Sequence, residues 1–147
     1  MAPSAIITNN KRKECYMKTL IVEDDFVARQ LLKGILSDYS ECDIVVDGEE
    51  AVQAHRIALE DGEPYDLICM DIMMPNMDGK ESLKRIREFE KDNNISGSKE
   101  AKVIMITALG DPKTVFESFY KSGATSYLVK PINEEKFFNQ LRLFELI

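Results

Sequence analysis

At 147 residues the chain has room for one ordinary domain and little for a second. It is 44% hydrophobic and 31% charged, a balance that suits a globular protein with a real core. Lys and Arg total 19 against 26 Asp and Glu, so the net charge is -7 and direct nucleic-acid binding, which needs a basic face, is not expected.

Residues 1–17 are mixed and polar, without an apolar period, and are read as a flexible N-terminal arm. Its Lys11-Arg12-Lys13 cluster is read as a solvated basic tail. The arm lacks the apolar run of a signal peptide, and no later segment is long enough to span a bilayer. A cytoplasmic location without membrane insertion is therefore expected. Cys15, Cys42 and Cys69 are too scattered for a disulfide framework or a zinc site, and Cys69, inside an apolar run, is expected in the core.

From residue 18 onward short apolar runs alternate with amphipathic stretches. TLIV precedes DFVARQLLKGILSDY, where Val27, Leu31 and Ile35 share a face with Ala28 and Leu32 alongside, a helical period. DIVV precedes GEEAVQAHRIALED, which carries His55, the one histidine of the chain, expected to be partly exposed. YDLICM precedes DGKESLKRIREFEKD, and NNISGSKE at 93–100 reads as a surface loop. KVIMIT precedes a fourth helix that Asp111-Pro112 starts and Gly123 stops. TSYLV precedes a fifth helix in NEEKFFNQLRLFELI.

The central runs are almost continuously apolar, as in strands buried on both faces of a parallel sheet. Five βα units in succession predict a doubly wound α/β domain over residues 18–147, with no output domain after it. The last two helices are rich in apolar residues: Val115, Phe116, Phe119 and Tyr120, then Phe137, Phe138, Leu141, Leu143, Phe144 and Leu146. Most are expected in the core, with a surplus left for a partner or dimer surface.

Functional groups of such a sheet gather beyond the carboxyl ends of its strands. Glu23, Asp24 and Asp25 follow the first strand, Asp71 ends the third, Thr107 the fourth, and Lys130-Pro131 follows the fifth. Asp25 is explained as a helix cap. Glu23, Asp24 and Asp71 together would repel, so one must take up a proton or a cation must bind. Oxygen ligands without sulfur or imidazole favour Mg²⁺, with Mn²⁺ as a substitute, over zinc. Asp71 can act as a nucleophile toward a phosphoryl group, while Lys130 neutralises charge and the Thr107 hydroxyl donates a directional hydrogen bond.

LIVEDD, MDIMMPNMDG, MITA and YLVKP, in that order, resemble the receiver domain of two-component response regulators, the CheY-like family, from about Lys18 to the C-terminus. The resemblance implies a flavodoxin-like (βα)5 fold with strand order 2-1-3-4-5. It implies Asp71 as phosphoacceptor, Asp24 as direct Mg²⁺ ligand, Glu23 as the neighbouring acid and the Met73 backbone carbonyl as a further ligand. Thr107 and Lys130 match the two phosphoryl contacts, and Tyr127 matches an aromatic switch residue, a role favoured over that of a half-buried strand tyrosine. Pro131 is either part of a cis peptide, as in most receivers, or a simple helix start. Gly79 serves either a positive φ or close packing beside the acceptor, or is an ordinary turn glycine.

The implied partners are a histidine kinase or a histidine phosphotransfer protein as donor. A downstream protein would dock on the face built by the fourth helix, fifth strand and fifth helix. The expected state is a monomer or weak dimer. The implied role is a stand-alone phospho-switch, chemotaxis being one of several pathways, and not a metabolic enzyme. A phosphorelay intermediate is the second reading. An Asp-nucleophile phosphohydrolase is disfavoured, because its second Asp would stand where Met73 is. Two departures from the family pattern are Glu23, where many members carry Asp, and Met73, an apolar side chain expected to exclude water and slow dephosphorylation.

Overall fold

Three largely apolar strands form the centre of a five-stranded parallel sheet. The computed structural model describes residues 17–108 and 120–147. Its elements are β1 (Met17–Val22), α1 (Phe26–Leu36), β2 (Ser40–Val45), α2 (Gly48–Glu60), β3 (Leu67–Asp71), α3 (Gly79–Asp92), β4 (Lys102–Thr107), β5 (Ser126–Val129) and α4 (Glu134–Leu143). The sheet order is β2-β1-β3-β4-β5, as the family resemblance implied. The 93–100 loop contains one short 3₁₀ turn at Gly97–Lys99. The basic cluster at 11–13, Cys15 and the helix expected from Asp111, with Val115, Phe116 and Phe119, lie outside the described residues.

Every residue of β3 is buried, and β1 and β4 are buried except at one position each. Alternate side chains feed two cores, as the strand pleat requires. Leu20, Val22, Ile68, Met70, Val103 and Met105 pack toward α2 and α3 with Ala51, Leu83 and Ile86. Ile21, Leu67, Cys69, Ile104 and Ile106 pack on the other side with Leu32, Leu36, Phe137 and Leu141 of α1 and α4.

In α1 the buried residues are Leu32 and Leu36, while Val27 and Leu31 are exposed. The i, i+4 series through positions 28, 32 and 36 lies over the sheet, and the 27–31 row falls one step toward solvent. In α4, Phe137 and Leu141 are buried but Leu143 is exposed, so the widened stripe is only partly core.

The expectation for His55 is corrected: it is 2% exposed rather than partly exposed. Its Nε2 lies 3.3 Å from Glu90 Oε2 on α3, and Phe89 packs edge-on to its ring. Glu90 in turn accepts from the Ala101 N–H at 2.9 Å and pairs with Arg87 at 2.6 Å. Burial opposes the Glu90 charge, yet His55, the Ala101 N–H and Arg87 outweigh it and hold the carboxyl below its usual range. Arg87 also donates to the Gly123 carbonyl at 2.9 Å, tying α3 to the segment that enters β5.

Candidate functional site

The carboxyl ends of β1, β3, β4 and the segment after β5 converge at one edge of the sheet. β1 ends at Val22, and Glu23 continues its ladder by donating its N–H to the Val45 carbonyl at 3.1 Å. Asp25 turns the chain into α1, its carboxylate accepting from the Ala28 N–H at 2.9 Å, which is the capping role expected of it. Asp71 closes β3, paired with Ile106 of β4, and one of its oxygens accepts from the Ile72 N–H at 2.8 Å. Thr107 ends β4 fully buried, and its carbonyl accepts from the Lys130 N–H at 2.7 Å.

This arrangement brings one carboxylate oxygen each from Glu23, Asp24 and Asp71 within 4.8 Å of one another. Glu23 is 1% exposed and Asp71 9%, whereas Asp24 faces solvent. Lys130 Nζ lies 2.7 Å from Glu23 Oε1 and 3.6 Å from Asp71 Oδ1. Burial pushes the Glu23 carboxyl above its ordinary range, Asp71 adds to the rise, and Lys130 opposes it. Burial also works against the Lys130 charge, but Glu23 and Asp71 prevail and hold its ammonium above the usual lysine range.

The residues fit a hard divalent cation. All three donors are oxygens, and Glu23 Oε2 is buried with no hydrogen-bond partner. A buried carboxylate oxygen left unpaired is costly, and a bound cation would satisfy it. The set has open access through Asp24.

The remaining predicted residues fall around this cluster. Met73 stands two residues beyond Asp71 with its side chain 68% exposed. Tyr127 pairs with Met105 across β4 and β5 and is half-buried against the core on the α2–α3 side. The Lys130–Pro131 peptide is cis. Gly79 takes the close-packing role: its φ is not positive, and a Cβ there would collide with the Asp71 carbonyl and approach Met105 Cε to 2.9 Å.

Two residues not singled out in the sequence also matter to the loop after Asp71. Asn76 adopts φ +65° and donates from its side chain to Asp47 Oδ2 at 2.8 Å. The Asp-Gly pair before α2 marks Asp47 as a helix cap, but nothing local signals its reach to Asn76.

Residues 19–142 match the response regulator receiver domain family. The chain belongs to that family. Its fold and type are those of a CheY-like receiver. It is 36% identical over 126 residues to the chemotaxis protein CheY of Treponema pallidum, covering 84% of this chain and 79% of that one. It is 30% identical over 132 residues to the osmosensing histidine protein kinase SLN1 of Saccharomyces cerevisiae, covering 88% of this chain and 10% of that protein. Among solved structures it superposes with a TM-score of 0.73 on the CheX–CheY–BeF3–Mg²⁺ complex from Borrelia burgdorferi, at 32% identity, covering 87% of this receiver and 89% of that chain. Among the described residues, no helix is long and apolar enough to cross a membrane.

Proposed function

We propose that this receiver is a phospho-switch that takes a phosphoryl group from a phosphohistidine onto Asp71 in a Mg²⁺-dependent reaction. The observation that carries the reading is the meeting of Glu23, Asp24, Asp71 and Lys130 around one small volume at the strand ends. Receiver domains interact with histidine kinases and downstream targets, and the proposed donor is a histidine kinase or a histidine phosphotransfer protein.

In this reading the free carboxylate oxygen of Asp71 attacks phosphorus. The P–O bond forms as the P–N bond to histidine breaks, and the leaving imidazole takes a proton from water. Glu23, Asp24, Asp71 and the Met73 carbonyl would hold Mg²⁺, whose chemistry is to neutralise charge on the phosphoryl oxygens. Lys130 withdraws negative charge from the same oxygens, and the Thr107 hydroxyl donates to one of them. Tyr127, half-buried on the edge strand, would change position with Thr107 and pass the signal to a protein bound near β5 and α4.

A second reading within signalling is a phosphorelay intermediate, favoured by the match to a stretch of an osmosensing histidine protein kinase. The deciding experiment is incubation with acetyl phosphate and Mg²⁺ followed by intact-mass measurement. A phosphoryl adduct is expected on the wild type and none on Asp71→Asn. No adduct on the wild type with acetyl phosphate or a phosphohistidine donor would defeat the proposal. Subsequent transfer to a histidine phosphotransfer domain would select the relay reading over the terminal switch.

A further inference from the structure

The loop between β3 and α3 contains Met73 and is closed by two backbone hydrogen bonds of its own. Gly79 N–H donates to the Ile72 carbonyl at 2.8 Å and Met77 N–H to the Pro75 carbonyl at 2.8 Å. Further support comes from the start of α2. Gly48 N–H donates to the Met77 carbonyl at 3.0 Å, and Ser82 Oγ donates to the Gly48 carbonyl at 2.8 Å. A Cβ at Gly48 would collide with the Met77 carbonyl, so the two segments touch backbone to backbone.

At the tip of the loop, Asn76 occupies the left-handed region, a conformation that most side chains adopt only at a cost of the order of 1 kcal/mol. Asp47 offsets that cost. One oxygen of its buried carboxylate caps α2 by accepting from the Glu50 N–H at 2.9 Å, and the other accepts from the Asn76 amide at 2.8 Å. One side chain thus fixes both a helix start and a loop tip.

Resting on the phosphoacceptor reading above, we propose that Asp47 and Asn76 are positioning residues: their hydrogen bond holds the β3–α3 loop so that the Met73 carbonyl is already in place when the divalent cation binds. Losing the bond leaves the chemistry of Asp71 intact and weakens metal capture, because the loop must then be ordered at the moment of binding.

Two variants separate this role from simple folding support. Asn76→Gly tolerates the left-handed backbone and removes only the amide. Asp47→Ser retains a helix-capping oxygen and is too short to reach Asn76. Mn²⁺ binding, followed by electron paramagnetic resonance, is expected to weaken about tenfold in each. The double variant should be no weaker than either single one. Phosphorylation by acetyl phosphate should slow at low Mg²⁺ and recover toward the wild-type rate at saturating Mg²⁺, a split that a general loss of stability would not produce. Wild-type Mn²⁺ affinity in both variants, with an adduct forming normally on the wild type, would overturn the clamp alone. Absence of the adduct from the wild type would instead overturn the phosphoacceptor reading on which it rests.

Discussion

Lys130 lies closer to Glu23 than to Asp71, 2.7 Å against 3.6 Å, although Asp71 is the proposed acceptor. The ammonium therefore serves the free protein as the counter-charge of a buried acid. On phosphorylation it would have to share that allegiance with the new oxygens. Replacing Lys130 by Met should slow phosphorylation by acetyl phosphate by about tenfold or more, since a charge-stabilising donor is lost. A wild-type rate, read by intact-mass time course, would show that Lys130 acts only as the partner of Glu23.

Asp71→Asn removes two repulsions, from Glu23 and Asp24, and one attraction, to Lys130. The metal-free variant should gain about 1 kcal/mol against urea. It should also respond less to Mg²⁺ than the wild type, for which a hundredfold excess over Kd would add about 2.7 kcal/mol. Equal Mg²⁺ responses would exclude Asp71 from the cation site.

Gly79→Ala should cost about 1–3 kcal/mol, because the added methyl meets the Asp71 carbonyl and forces α3 off the strand end. Thermal unfolding gives the cost directly. An unchanged midpoint would mean that α3 shifts freely, contrary to its buried N-terminal contacts.

Glu90 gives a pH dependence of definite sign. Its folded pKa lies below the unfolded 4.5, held there against burial by His55, the Ala101 N–H and Arg87. The stability it contributes is therefore complete above pH 4.5 and is lost as the pH falls through the lowered folded value. Glu90→Gln should lose about 2–4 kcal/mol at pH 7, where the buried partners are left uncompensated. Its deficit should shrink as acid protonates the wild-type carboxyl. A deficit constant from pH 7 to pH 3.5 (about one unit below the usual Glu value) would contradict this account.

Met73→Asn should shorten the phosphoryl half-life by about threefold or more if an apolar group at 73 keeps water from the adduct, a change of roughly 0.7 kcal/mol in the barrier. The half-life after removal of acetyl phosphate is the measurement, and equal values would sink the idea. The side chain is largely exposed, so any shielding must arise as it folds over the phosphoryl group.

The strands and the acid cluster were legible because their signals are local or set by topology. LICMD reads as a doubly buried strand, and strand order then carries Glu23 and Asp71 to one edge. The burial of His55 was not legible, since its partner Glu90 is 35 residues away and a lone helical histidine carries no mark of it. The inward face of α1 was not legible for a related reason: the 27–31 and 28–32 rows are both apolar, and only docking on the sheet chooses between them. Asp47 was readable as a cap, but its second bond depends on the left-handed turn at Asn76, 29 residues on.

The place of Asp71 in the sheet has a mechanical consequence. Its strand is flanked on both sides, by β1 and β4, while β5 has β4 as its one neighbour. The proposed acceptor is thus an anchored post in the middle of the sheet, and β5 stands at its rim. Charge arriving at a post that cannot yield must be accommodated by whatever around it gives way most cheaply. In the proposed switch that is the short outer strand bearing Tyr127, which would make the rim the natural dial on which the state of the centre is read.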